Sequence, residues 1–240
     1  IMALPKINTP TYELVIPSTD EKIKYRPFLV KEEKILLLAM ESGENNDIVQ
    51  AIKDIVDECT FNKLKDKLGL MPTFDVEYIF LNIRAKSVGE IATLRLRCPD
   101  DYETIAKVDV NLTEIEVQTD EGHTNKIELT DEMGIVMKYP TIDSFAVNGI
   151  TEITASNMLD VISSCIDSIY DKGGEEVFEA KDQTTKELIE FIEQLNSKQF
   201  GDIQKFFDTM PKLKHTVTVK NPKTKKKGEV TLSGLSDFFE

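Results

Sequence analysis

The spacing of apolar residues changes several times along this 240-residue chain, and each change marks an element. In TYELVI, residues 11–16, Tyr12, Leu14 and Ile16 recur every second position. Pro17-Ser18-Thr19-Asp20 then turns the chain into 22–26, where Ile23 and Tyr25 share a face, so the stretch predicts a β-hairpin. A helix follows over Lys31–Glu41, with Gly43 placed to cap its end. Its apolar residues are contiguous from Ile35 to Met40, which predicts burial on more than one side. Asp47 is a candidate cap for a second helix carrying Ile48, Ile52, Ile55, Val56 and Cys59 at helical spacing. Pro72 and Thr73 open a third helix, with Phe74, Tyr78, Leu81 and Ile83 directed inward until Val88-Gly89 breaks it.

From Glu90 the period becomes two. Ala92, Leu94, Leu96 and Cys98 face one way, and Thr93, Arg95 and Arg97 the other. After a turn at residues 99–102 the alternation resumes with Ala106, Val108, Val110 and Leu112. This is a second hairpin, with Cys98-Pro99-Asp100-Asp101 at its tip. Ile115, Val117, Ile127, Leu129 and residues 135–139 predict further short strands. The spacing of Leu159, Ile162, Cys165, Ile166 and Ile169 predicts a helix over Ser156–Asp171, stopped by Gly173-Gly174. Two more helices are expected over Thr185–Leu195 and Ser197–Met210. A third hairpin follows from Leu213, with Lys223, Lys225, Lys226 and Lys227 at its tip.

These elements give an α+β fold: a helical body, a β-rich middle insertion, and a C-terminal β-hairpin resembling a degenerate zinc ribbon. The expected division is 1–89 for the N-terminal hairpin and helices, and 90–140 for the β-rich middle. Residues 141–212 form C-terminal helices packing on the N-terminal ones, and 213–240 form the final hairpin and tail. No repeat of solenoid length and no low-complexity tract occurs.

The net charge of −14 disfavours general nucleic-acid binding, which depends on Lys and Arg neutralising phosphates, and it suits a basic protein partner. The apolar runs are too short for a membrane span. Pro5, Lys6 and Pro10 interrupt any apolar leader, so no secretion signal is expected and Met2 reads as the native start. Cys59, Cys98 and Cys165 are odd in number and far apart; Cys59 and Cys165 sit in apolar helical patterns that fit small buried thiols, and a reducing cytoplasm is the expected compartment.

Candidate chemistry is sparse. His123 lies in a polar turn and His215 in a strand, and neither sits in a motif for an activated nucleophile. The pairs Asp57-Glu58, Asp100-Asp101 and Asp131-Glu132 read as solvated turns or helix ends. Gly173-Gly174 follows a helix, the wrong context for a phosphate loop. No catalytic residue and no cofactor is assigned. A zinc ribbon takes two Cys-x-x-Cys knuckles, because tetrahedral zinc needs four ligands. Here the first tip keeps Cys98 with Asp101 in the second position, and the other tip, Asn221-Pro222-Lys223-Thr224, offers no thiol, so no metal is expected. The lysine run at 220–227 is either a solvated tip or a docking point for an acidic partner. The paired aromatics Phe238 and Phe239 either pack back on the body or meet a partner.

Several stretches together resemble the T4-like bacteriophage baseplate proteins of the hub-assembly group. They are TYELVIPSTDEKIKYRPFLVKEEKILLLAMES, IVDECTF, FDVEYIFLNIRAKSVGE, the CPDD tip, GIVMKYPT and TLSGLSDFFE. The most specific is IFLNIRAKSVGE. The resemblance implies a non-enzymatic viral protein that acts in host cytoplasm, or in the tail baseplate of the virion, by binding other hub or tail proteins. Such proteins often look as if they carry Cys-x-x-Cys at both hairpin tips, and this chain departs from that pattern. Arg95, Arg97, Lys223, Lys225, Lys226, Lys227, Phe238 and Phe239 are the expected contact residues, with no nucleic acid or membrane as partner. The oligomeric state stays open. The rival reading is a degenerate zinc-ribbon regulatory protein binding nucleic acid through the tip 220–227.

Overall fold

The computed structural model describes residues 7–147, 157–171, 173 and 176–238. Helix and antiparallel sheet are mixed, as the alternating periods require. The chain divides into two compact units: residues 1–68, 74–118 and 212–240 form one, and residues 69–73 and 119–211 the other. These boundaries differ from the four-part division expected above. The final hairpin belongs with the N-terminal elements because its first strand hydrogen-bonds to a strand at 116–118.

The first unit opens with the hairpin β1 (Tyr12–Val15) and β2 (Lys22–Tyr25), which buries Leu14, Ile23 and Tyr25. Helix α1 (Val30–Ser42) starts without a side-chain acceptor at Leu29; instead the Glu32 carboxylate accepts the Leu29 N–H at 2.7 Å. Glu32 is 2% exposed and also meets Arg26 Nη2 at 2.9 Å. Burial alone would raise this carboxyl, but hydrogen bonds from Arg26, the Leu29 N–H and Lys31 outweigh it and hold the pKa below the usual range. Gly43 ends α1 in the left-handed conformation, φ 69°. Helix α2 (Asn45–Cys59) is entered through Glu44, so Asp47 lies in its first turn rather than at the cap.

Helix α3 (Thr73–Val88) is the centre of this unit. Phe74, Val76, Ile79, Phe80, Leu81, Ile83 and Ala85 are all buried, so the helix is covered on nearly every side. Asp75 is also buried and accepts hydrogen bonds from the Ser18 N–H and hydroxyl in the β1–β2 turn. Strands β3 (Ile91–Arg97) and β4 (Ile105–Asn111) form the second hairpin. The long strand β10 (Lys212–Lys220) pairs with β11 (Lys227–Ser233) on one edge and β5 (Glu116–Gln118) on the other. Leu81, Leu94, Cys98, Val110, Leu213 and Phe238 share one core.

The second unit is a four-stranded antiparallel sheet in the order β6 (Lys126–Glu128), β7 (Met133–Met137), β8 (Ile166–Asp171), β9 (Val177–Glu179). Around it stand α4 (Ile142–Val147), α5 (Met158–Ser164), α6 (Thr185–Glu193) and α7 (Ser197–Thr209). Reciprocal hydrogen bonds of Thr184 with Glu187 and of Asn196 with Gln199 open α6 and α7. Ile135, Met137, Ile166, Ile192, Ile203 and Phe206 fill the core. The helix expected over Ser156–Asp171 stops at Ser164, and the remainder is strand β8. Pairing with both β7 and β9 satisfies its backbone, and Ile166 and Ile169 then bury against the sheet. The first part of that expected helix, up to residue 156, lies outside the described residues.

Candidate interaction surface at the paired hairpin tips

The turn from β3 to β4 is organised by Asp101. Its Oδ1 accepts the Glu103 N–H at 3.0 Å and the Thr104 N–H at 2.9 Å, and its Oδ2 accepts the Thr104 hydroxyl at 2.7 Å. The backbone closes beneath, with Cys98 N–H to Thr104 O at 2.7 Å and Tyr102 N–H to Cys98 O at 2.8 Å. Asp therefore suits this position because a short carboxylate can hydrogen-bond the backbone two and three residues on. The same logic shapes the β10–β11 tip. Asn221 Oδ1 accepts the Lys223 and Thr224 N–H groups at 2.8 and 3.2 Å, while the Asn221 N–H bonds to Lys226 O at 2.9 Å.

The two tips, remote in sequence, are clasped together. Asn221 Nδ2 donates to Asp100 Oδ1 and to Asp101 Oδ2, both at 2.9 Å, and the Thr224 hydroxyl donates to Asp100 Oδ2 at 2.6 Å. Asn221 is fully buried by this contact. Gly228 lies against the Pro99 ring so closely that any Cβ there would clash with the Pro99 Cγ. Hydrogen bonds to Thr224 and then Asn221 hold the Asp100 carboxyl below its usual range. Asp101 lies far below it, chiefly through the Thr104 hydroxyl and N–H.

Cys98 is fully buried at the base of the clasp. Burial raises its thiol pKa first, and the carboxylates of Asp101 and Asp100 add to the rise. Among the described residues no group of three or more His, Cys, Asp or Glu is placed to hold a metal ion.

The basic residues expected from sequence divide by exposure. Lys223, Lys225, Lys226 and Lys227 are exposed at the second tip, with Lys225 Nζ folded back to Pro222 O at 2.7 Å. Arg95 and Arg97 are exposed on the outer face of β3, and Arg97 Nη1 reaches Tyr102 O at 3.4 Å. Lys107, which the alternation of the strand did not single out, stands directly opposite Arg95 and is exposed. Its strand partner was legible only once the register was fixed. Phe238 is not available to a partner: it is 0% exposed and packs in the core of the first unit, so that expectation is corrected. Phe239 lies outside the described residues.

The histidines are held by structure. His123 Nδ1 meets the Thr209 hydroxyl at 3.0 Å and Nε2 the Tyr139 hydroxyl at 3.1 Å, and the ring lies beside Tyr139 and Phe206. Burial lowers its pKa, against the pull of the Asp120 carboxylate. His215 lies in β10 opposite Leu232. A cleft in the second unit is lined by Lys138, Asp160, Ser163, Lys181 and Thr185, without a histidine.

One surface runs against the sequence expectation. The apolar run of α1 is not buried on several sides: Ile35 is 42% exposed, Leu37 and Leu38 54%, and Met40 58%. Only Ala39 and Glu32 of this helix are buried. A contiguous apolar run was read as core, and exposure cannot be told from burial by composition alone.

A family model described as "T4 bacteriophage base plate protein" matches residues 9–240. No curated protein and no solved structure matches the chain.

Proposed function

Because this chain belongs to the T4 bacteriophage base plate protein family, we propose that it works in the baseplate hub by binding other tail proteins, as a hub subunit or a chaperone-like assembly factor. It performs no catalysis of its own in this reading, and it meets its partners in host cytoplasm while the tail is built. The observation that carries the proposal is the clasp. Two hairpins end in a common tip held by hydrogen bonds among Asp100, Asp101, Asn221 and Thr224, and Lys223, Lys225, Lys226 and Lys227 stand exposed on it beside Tyr102 and Glu103. We read the pair as a ribbon in which Asp100, Asp101 and Asn221 take the place of zinc-binding thiols.

Arg95 and Lys107 sharpen the reading. Like charges directly across an antiparallel pair destabilise a hairpin, so this face gains when an acidic surface covers it. The expected partner is therefore an acidic protein face met by Arg95, Arg97, Lys107 and the tip lysines. Nucleic acid is the weaker candidate, since the chain carries −14 overall and Asp100 and Asp101 lie within the same tip.

The test is co-purification from infected cells. Tagged chain with alanine at Arg95, Arg97, Lys223 and Lys225–Lys227 is expected to lose hub proteins that the unaltered chain retains. Unchanged recovery would reject the proposal. Mass analysis of purified virions separates the two roles: presence indicates a subunit, absence an assembly factor.

A further inference from the structure

The exposed face of α1 is a feature that the clasp leaves unexplained. At about 100° per residue, Leu37, Glu41, Lys34 and Leu38 fall within an arc of roughly 100°. Glu32 and Ala39, the buried positions, point the opposite way, and Ile35 and Met40 flank the arc. An exposed apolar stripe of this kind marks a contact surface. Its charges identify what covers it. Lys34 stands toward the N-terminal end of the stripe and Glu41 toward the C-terminal end, so the stripe carries opposite signs at its two ends.

We propose that a second copy of this chain covers α1, the two helices pairing antiparallel about a two-fold axis between Leu37 and Leu38. Such an axis sets Leu37 against Leu38 of the other copy and Ile35 against Met40. It also sets Lys34 against Glu41. The four exposed apolar residues meet one another, and Lys34 meets its opposite charge. A two-fold interface must be self-complementary in this sense. Parallel pairing instead sets Lys34 on Lys34 and Glu41 on Glu41. Two 13-residue helices make a small interface, so association on the order of micromolar is expected.

Sedimentation equilibrium of the purified full chain, from low to several hundred micromolar, tests this directly. The chain is expected to pass from monomer to dimer, and L37D/L38D to remain monomeric with unchanged circular dichroism, since both residues face solvent in the monomer. K34E or E41K alone turns two attractive contacts repulsive and is expected to weaken self-association about tenfold. The double variant K34E/E41K restores it, and mixing the two single variants yields a heterodimer. A monomer at every concentration, a dimer indifferent to L37D/L38D, or a swap that fails to rescue would each overturn the proposal. A monomer whose L37D/L38D variant loses capture of a hub protein also overturns it, in favour of a heterologous partner. Hub binding through the hairpin tips is scored by different residues in a different assay, so either proposal can fail alone.

Discussion

Replacing Asn221 by alanine removes the buried side chain that bonds to both Asp100 and Asp101 across the two hairpin tips, leaving the Thr224–Asp100 hydrogen bond. The carboxamide makes four hydrogen bonds: two donated to Asp100 and Asp101, and two accepted from the Lys223 and Thr224 N–H groups. A net hydrogen bond contributes roughly 0.5–1.5 kcal/mol, and water can replace part of what the more exposed partners lose, so about 2–3 kcal/mol is expected. That corresponds to a fall in Tm of roughly 5–10 °C for a chain of this size. Loss confined to the clasp accelerates amide exchange in 98–104 and 219–228 by about 30- to 150-fold, while α3 is affected far less. The pH dependence follows from Asp100 and Asp101, whose folded pKa values are depressed. Their contribution is present above the unfolded carboxylate range and is lost as pH falls below about 4. The difference between N221A and the unaltered chain therefore shrinks in acid. N221D, which sets a third carboxylate beside the other two, is expected to cost more than N221A at pH 7 and to recover as pH falls. Unaltered exchange at the tips in N221A would refute the clasp as the element that fixes them.

Three further substitutions probe the first unit. Burial pushes the Glu77 carboxyl up to about 7, against a hydrogen bond from the Leu235 N–H. Its folded pKa is raised, so the stability it contributes is full below about pH 4 and is lost as pH rises through about 7. E77Q should thus be more stable than the parent at pH 8 and show no such gain at pH 4, by thermal melts across the range. G228A forces a methyl into the Pro99 ring and is expected to cost about 1–3 kcal/mol. In a double-mutant cycle P99A relieves that cost, whereas simple additivity would place the strain elsewhere. E32A leaves Arg26, 12% exposed, with only the longer carboxylate contact to Glu58 at 3.8 Å, and frees the Leu29 N–H at the start of α1. Urea denaturation should register a loss of about 3 kcal/mol, and E32Q a smaller one.

The hairpins and most helices were legible because their apolar periods are unambiguous. Ala92, Leu94 and Cys98 alternate as β3 requires, and Pro72-Thr73 marks the start of α3 within a residue. The helix was read correctly over 158–164, but 166–171 was misread because Ile166 and Ile169 continue the helical spacing of Leu159 and Ile162 and suit a buried strand equally well. Only the neighbours β7 and β9 decide between them. The tip sequences were recognised as the place where two knuckles would meet, but how they meet was not readable. Asn221 and Asp101 are 120 residues apart, and no local pattern links an amide to a carboxylate over that distance. The exposed face of α1 was hidden for another reason. Ile35–Met40 has the composition of core, and whether such a run faces inward depends on what packs around it.

The central claim is that the clasped tips bind other baseplate proteins, and amine-directed cross-linking in infected cells followed by mass spectrometry tests it most directly. Lys223, Lys225, Lys226, Lys227 and Lys107 are expected to link to peptides of another tail protein, and N221A to reduce those links selectively. Links to other tail proteins from lysines elsewhere on the chain, with none from these five, would contradict the claim.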